Sequence, residues 1–331
     1  MATRAAPRGP IMLGVEGLAL TGDDRARLAD PRVGGVILFA RNFASSAQLR
    51  ALTSEIRALR RELVIAVDHE GGRVQRFRDG DFTLLPPMGT LGARWEREPA
   101  LASESAFDIG RTIARELCAH GVDFSFTPVL DLDYAASAVI GDRAFHADPI
   151  VVADLAGALL RGLHAEGVAG VGKHFPGHGF VAADSHVDTP VDTRRLDEIL
   201  AADVVPFAAL LQQGLEAVMP AHVVYPAVDA RPAGFSPVWI DEILRGRLGF
   251  DGLVFSDDLE MAGAHSAGDI VARAGAAIGA GCDVVLVCND FGAMDALLAR
   301  WSPPAQAALG RRWARMAAAQ SPGAPAAVGQ A

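Results

Sequence analysis

Residues 237–258, PVWIDEILRGRLGFDGLVFSDD, hold the pattern from which the fold is read. Pro237–Leu248 places apolar residues at helical spacing and starts on a proline, which suits a first helical turn. Gly249 stands where that helix should stop. Leu253–Ser256 is a short apolar run, too short for a helix and right for a buried strand. Two carboxylates, Asp257 and Asp258, follow it. The unit reads helix, glycine, buried strand, acid.

The same unit recurs in both directions along the chain. Further strands are expected at Ile11–Val15, Gly35–Phe39, Leu63–Asp68, Asp123–Val129, Val168–Lys173, Ala217–Pro220 and Val284–Val287. Amphipathic helices are expected at Ala47–Arg61, Pro99–His120, Pro149–Glu166 and Leu196–Gln213. Asp148 before Pro149 gives a cap and a first-turn proline, and Gly121 and Gly167 stand at helix ends. Strands interleaved with helices imply a parallel sheet. Eight such units over about 290 residues favour closure into a barrel over an open, doubly wound sheet. Polar residues follow the strands repeatedly: Asp68-His69-Glu70, Asp131, Lys173-His174, His222 and Asp257-Asp258. A barrel gathers all these ends on one face, where an active site belongs. The expectation is an α/β fold with a single (β/α)8 TIM-type barrel over residues 11–303. Residues 1–10 are expected to be a flexible N-terminus, and 304–331 a C-terminal helix and a disordered tail rich in Ala, Pro and Gly.

Composition narrows the function. Half of the 331 residues are hydrophobic, which is ample for a large core. Forty acidic against 30 basic residues leave a net charge of −10. No basic stretch with interleaved aromatics occurs, which argues against a nucleic-acid partner. An acidic chain is repelled by anionic membrane surfaces, and no apolar run reaches membrane-spanning length. The first residues, MATRAAPRGP, lack the apolar segment of an export signal. Cys118, Cys282 and Cys288 lie scattered in apolar runs and read as buried free thiols of a reducing compartment. A cytoplasmic monomer acting on a small molecule is expected.

The densest chemistry lies at 173–186, KHFPGHGFVAADSH, which holds three of the nine histidines. A phosphate loop fails there: Gly167–Lys173 fits GxxxxGK, but His174 replaces the hydroxyl residue and the glycines lie inside a strand. A metal site from His174, His178 and His186 has no standard ligand spacing, so no metal or cofactor is expected. Acid–base chemistry fits better. Asp184 and His186 are two apart, and an extended loop points both the same way. A carboxylate beside an imidazole fixes its tautomer and raises its basicity. Asp257 is the second carboxylate that such chemistry needs, while Asp258 reads as the cap of the next turn or the partner of a neighbouring group. At 67–76, VDHEGGRVQR, the strand delivers Asp68, and the glycines suggest room for a bulky ligand. The length and glycines of the loop from Phe175 to Val187 suggest a lid.

Together the motifs VDHEGGRVQRF, GDRAFHADP, GKHFPGHGFVAADSH, MPAHVVY and GFDGLVFSDDLEM resemble glycoside hydrolase family 3. The resemblance covers about residues 10–300 and is strongest to the bacterial single-domain β-N-acetylglucosaminidases of cell-wall recycling. It implies Asp257 as nucleophile, His186 as general acid/base and Asp184 as its partner. Asp68, Arg76, Arg143, Lys173 and His174 would grip the terminal sugar. His69 stands where relatives often have Gln. The C-terminal domain of larger relatives is expected to be missing.

The implied activity is retaining removal of β-1,4-linked N-acetylglucosamine from anhydro-N-acetylmuramic acid fragments, with or without the stem peptide. Such cleavage passes through an oxocarbenium-like state, with a nucleophile on one face of the ring and an acid beside the leaving oxygen. Two other readings stay open: a phosphorylase that uses phosphate in place of water, and a non-catalytic sugar-binding barrel. The sugar-gripping residues, being charged, are expected to contribute little to stability.

Overall fold

The computed structural model describes residues 8–182 and 190–318. Eight parallel strands follow one another around a barrel. They are β1 (Ile11–Gly14), β2 (Val33–Leu38), β3 (Val64–Val67), β4 (Phe124–Ser125), β5 (Val171–Phe175), β6 (Ala217–Pro220), β7 (Leu253–Asp258) and β8 (Val284–Val287). In β1, β2, β3 and β8 every residue is buried, as expected of parallel strands covered on both faces. β8 pairs with β1, and the seam between β4 and β5 closes at a bridge between Val129 and Lys173.

That seam explains a difference from the expected strand Asp123–Val129. Its regular ladder stops at Ser125, because Pro128 has no N–H to donate. The chain then pairs again: Leu130 N donates to Lys173 O at 2.6 Å and Val171 N to Thr127 O at 2.8 Å.

Helices alternate with the strands. They are α1 (Gly22–Ala29), α2 (Ser46–Leu59), α3 (Gly89–Trp95), α4 (Pro99–Ala119), α5 (Pro149–Ala165), α6 (Leu196–Ala201), α7 (Val204–Gln212), α8 (Ile270–Gly279), α9 (Phe291–Arg300) and α10 (Leu309–Ala318), with a π-helical segment at Val238–Arg247. The Asp148 side chain caps α5 by accepting from Ile150 N at 2.8 Å. The helix expected over Leu196–Gln213 is two helices instead. Pro206 cannot donate to the carbonyl of Ala202, and its ring would strike that carbonyl. The break lies there, at Ala202 and Asp203.

The far end of the barrel, at the strand N-termini, is sealed by α10. Trp313 is fully buried, 5.7 Å from the Phe255 ring, which in turn packs on Phe124 and Phe126 inside the barrel. Arg312 donates to Asp283 at 2.6 Å, and Arg245 takes that carboxylate's other oxygen at 2.9 Å. Residues 8–10 are held as well: Arg8 donates to the Glu62 carbonyl and Val285 N to the Pro10 carbonyl. No described helix is long and apolar enough to cross a membrane.

Truncating Trp313 to Ala should cost roughly 3–5 kcal/mol, the usual range for a buried large aromatic. Urea unfolding measures this, and kcat/KM of the folded fraction should stay unchanged because the residue lies at the opposite end from the polar strand ends.

Candidate active site

The C-terminal ends of the strands open into a cleft of about 580 Å³ whose walls include Asp68, Arg76, Lys173, His174 and Asp257. β3 delivers Asp68 and turns at once into a tight hairpin, His69–Gly71 against Val74–Gln75. β5 delivers Lys173 and His174, and β7 delivers Asp257. Arg143 enters from a single turn, Gly141–Arg143, after β4.

A buried charge network organises this end. Lys173 Nζ lies 2.8 Å from Asp68 Oδ1 and 2.6 Å from Glu70 Oε1, with both Lys173 and Glu70 side chains only 3% exposed. Arg143 forks onto Glu70 through Nε and Nη2, each at 2.8 Å. Arg76 reaches Asp68 at 3.2 Å. Burial alone would raise the carboxyl pKa values. Lys173 and Arg76 outweigh it at Asp68 and hold that group well below the ordinary carboxylate range. Arg143 and Lys173 hold Glu70 down to about 2. Burial likewise opposes the charge on Lys173, but Asp68 and Glu70 overcome it and raise its pKa.

Glu70 is the residue that the sequence reading left out of the site. The signal was present: Asp68 and Glu70 are two apart in extended chain, so both face the same side. Arg143 lines the cleft as expected, yet its fork is spent on Glu70, and Nη1 goes to the Val139 carbonyl. Asp131 was noted only as a strand-end acid. It accepts from His174 Nδ1 at 2.6 Å and from the backbone N–H of His178 at 2.7 Å. Burial raises its pKa, but His174 brings it down to about 2. The His174 ring is thereby fixed with its other nitrogen free of that bond.

Three expectations change. The space beside Gly71 and Gly72 is filled by Pro86 and Pro87, so these glycines permit a tight hairpin and not the approach of a ligand. The first half of the expected lid is a wall of the cleft. Phe175–Gly179 is buried, Gly177 backs onto Asp203 while Tyr225 donates to its carbonyl at 2.6 Å, and Gly179 abuts the Leu132 carbonyl. Asp184 and His186 lie outside the described residues. The charges expected to grip the sugar are largely withdrawn from solvent and ion-paired, which gives them a structural part that the sequence reading did not expect.

Asp257 and Asp258 both border the cleft but differ in company. Asp258 accepts from the backbone of Glu260 at 3.1 Å and from the Cys288 thiol. Burial, Glu260 and Asp257 push its carboxyl well above the usual range. Its role as a turn cap matches the bland reading of the sequence. His69 is fully buried between Phe77 and Phe82 and is held neutral by burial, at about 3. Among the described residues no three His, Cys, Asp or Glu side chains are grouped to hold a metal ion.

Comparison with known proteins agrees with this architecture. The glycosyl hydrolase family 3 N-terminal domain matches residues 12–301. A β-hexosaminidase of Thiobacillus denitrificans is 61% identical over 308 residues, covering 92% of this chain and 86% of that protein. One from Bordetella avium is 62% identical over 302 residues, covering 90% and 86%. The crystal structure of NagZ from Neisseria gonorrhoeae in complex with N-trifluoroacetyl-D-glucosamine superimposes with a TM-score of 0.91 at 51% identity, covering 97% of this chain and 93% of that one.

Removing Lys173 should unbalance the network. Lys173→Ala leaves two buried carboxylates facing one another and should cost roughly 3–5 kcal/mol of stability as well as activity. The depressed carboxylates contribute stability that is complete above their unfolded pKa, near 4, and is lost as pH falls toward about 2. Thermal melts between pH 5 and 2 should show a shallower acid loss in Glu70→Gln than in the native protein.

Proposed function

The chain belongs to glycosyl hydrolase family 3 and is a β-N-acetylhexosaminidase, and from that premise we propose that it removes terminal β-1,4-linked N-acetylglucosamine from anhydro-N-acetylmuramic acid fragments of the cell wall. In this reading it is an exo-acting, retaining enzyme of peptidoglycan recycling in the cytoplasm, taking fragments with or without the stem peptide. The observation that carries the reading is the cleft itself. Its lining includes Asp257 from β7 together with Asp68, Lys173 and His174 from β3 and β5, a carboxylate sharing one cleft with fixed polar groups suited to sugar hydroxyls. The N-trifluoroacetyl-D-glucosamine bound by the Neisseria gonorrhoeae relative supports an N-acylated glucosamine as the terminal sugar.

The mechanism follows from two groups. Asp257 attacks the anomeric carbon as His186, oriented by Asp184, gives a proton to the leaving oxygen, so a covalent glycosyl-enzyme forms as the aglycone departs. His186 then takes a proton from water, whose oxygen attacks the same carbon and releases Asp257. A histidine acid adds no second negative charge near Asp257. The competing route, attack by the substrate's own acetamido group, needs two acidic residues facing that group. The company of Asp258 speaks against it, since its carboxyl is engaged by Glu260 and Cys288.

A slow N-acetylglucosaminide with a fluorinated ring and a good leaving group should leave a sugar on the peptide containing Ser256-Asp257-Asp258, read by mass spectrometry. Asp257→Ala should be nearly inactive, with Asp258→Asn retaining much more activity. Strong inhibition by a thiazoline without any adduct would overturn the covalent route. Phosphate added to the assay should yield free sugar and no sugar 1-phosphate; the phosphate ester would show a phosphorylase instead.

His186→Ala should lose roughly 10²–10⁴-fold on a poor leaving group and far less in glycosylation by an activated aryl glycoside, which needs little protonation. Equal losses on both substrates would count against His186 as the acid.

A further inference from the structure

His222 lies just after β6 in the MPAHVVY stretch and plays no part in the mechanism above. It is fully buried. Its Nε2 lies 3.1 Å from the backbone carbonyl of Asp258, and its ring packs 5.2 Å from Phe235. The other nitrogen, Nδ1, faces Gly234 and has no hydrogen-bond partner among the described residues. A carbonyl only accepts, so Nε2 carries the proton and Nδ1 is left bare. A buried acceptor without a partner costs stability, and an apolar side chain of similar size would fill the space without that cost. The position therefore calls for a donor on Nε2.

The acceptor explains why. Residue 258 is bracketed on both sides: its carbonyl takes His222, and its N–H donates to Asp257 Oδ1 at 2.8 Å. Turning this stretch of backbone would disturb both bonds at once. Beyond it, Leu259 N donates to Leu286 O at 3.0 Å, so the strand end is pinned to β8 on the far side.

We propose that His222 is a positioning residue for the nucleophile, fixing the backbone of residue 258 so that its N–H holds the Asp257 carboxylate toward the anomeric carbon. The inference rests on Asp257 being the nucleophile. Burial keeps the imidazole neutral although Asp257 pulls the other way, so His222 steadies Asp257 without neutralising its charge. His222 touches neither sugar nor reacting atoms; it acts through the peptide.

The test compares His222→Leu, His222→Gln and His222→Asn in the full chain. Gln places an amide N–H where Nε2 stands, whereas Asn reaches only to the position of Nδ1. The readouts are the rate of adduct formation with the fluorinated glycoside, kcat on good and poor leaving groups, and the melting temperature. Misplacing a nucleophile slows attack whatever leaves, so the Leu and Asn variants should lose roughly 10–100-fold in adduct formation and in kcat on both substrates. Gln should restore most of the rate. The Leu variant exchanges the bare Nδ1 for an Asp258 carbonyl without its donor, so its melting temperature should change little. If Leu fails to fold, the Asn and Gln pair decides, being amides that differ only in reach. Adduct rates within twofold of native in the Leu or Asn variant, or equal rates in Asn and Gln, would overturn the proposal. So would a kcat loss matched by the loss of folded protein. A native enzyme that carries no adduct on Asp257 would sink the nucleophile assignment, and this inference with it. A native adduct with indifferent variants would sink this inference alone.

Discussion

One cation holds the chemical end of this barrel together. Lys173 sits between Asp68 and Glu70, and Glu70 in turn grips Arg143. Strands β3 and β5 lie on either side of β4, the strand whose ladder Pro128 interrupts. Where the backbone pairing is thinnest, a side-chain network bridges across it. Lys173 and Glu70 are buried and Asp68 and Arg143 largely so, which makes each costly alone and tolerable only with its partners. The arrangement fixes Asp68 and Lys173 to within the reach of a hydrogen bond before any ligand arrives. Preorganisation of this kind lets polar groups stabilise a transition state without first paying to reorient.

Much of the fold was legible because a parallel barrel writes itself into sequence in a simple way. Its strands are buried on both faces and so appear as short apolar runs, and polar residues begin where the cleft begins. LVFSDD at 253–258 is such a run, and the structure extends its strand through both aspartates. What escaped were effects that depend on a neighbour far away in sequence. Nothing local in Gly71 and Gly72 says that Pro86 and Pro87 fill the space beside them. Nothing local in the Phe175–Gly179 stretch says that Asp203, Tyr225 and Leu132 pack it into a wall. The break at Ala202 and the gap at Pro128 were readable from proline chemistry, but the strong hydrophobic periodicity around them masked it.

The candidate site divides the same way. Asp68, Lys173, His174 and Asp257 could be assigned to one face from the strand ends alone, Arg76 only through the family resemblance, and the cleft gathers all five. Glu70 and Asp131 could not be ranked by type, because a lone acid near a strand end is more often solvated than buried. Their importance comes from partners 73 and 43 residues away, Arg143 and His174. The two adjacent aspartates show how environment separates like groups. Asp258 is driven toward its neutral form by burial and by Glu260, which lessens the repulsion between the two neighbouring carboxylates.

The two ends of the barrel carry opposite burdens. Toward the cleft, buried charges hold geometry at the expense of stability, and both ring nitrogens of His69 and Nδ1 of His222 lie buried without a hydrogen-bond partner among the described residues. At the other end, the Asp283 carboxylate is closed by two arginines and a backbone N–H, and the aromatic stack from Trp313 through Phe255 to Phe124 fills the interior. Phe255 belongs to both worlds: its ring lies in that stack, while two residues on the same strand delivers Asp257 to the cleft. A strand has period two, so a one-residue slip of β7 would turn the Phe255 ring out of the core and Asp257 away from the cleft together. The apolar packing that stabilises the barrel therefore also sets the register in which Asp257 reaches the cleft.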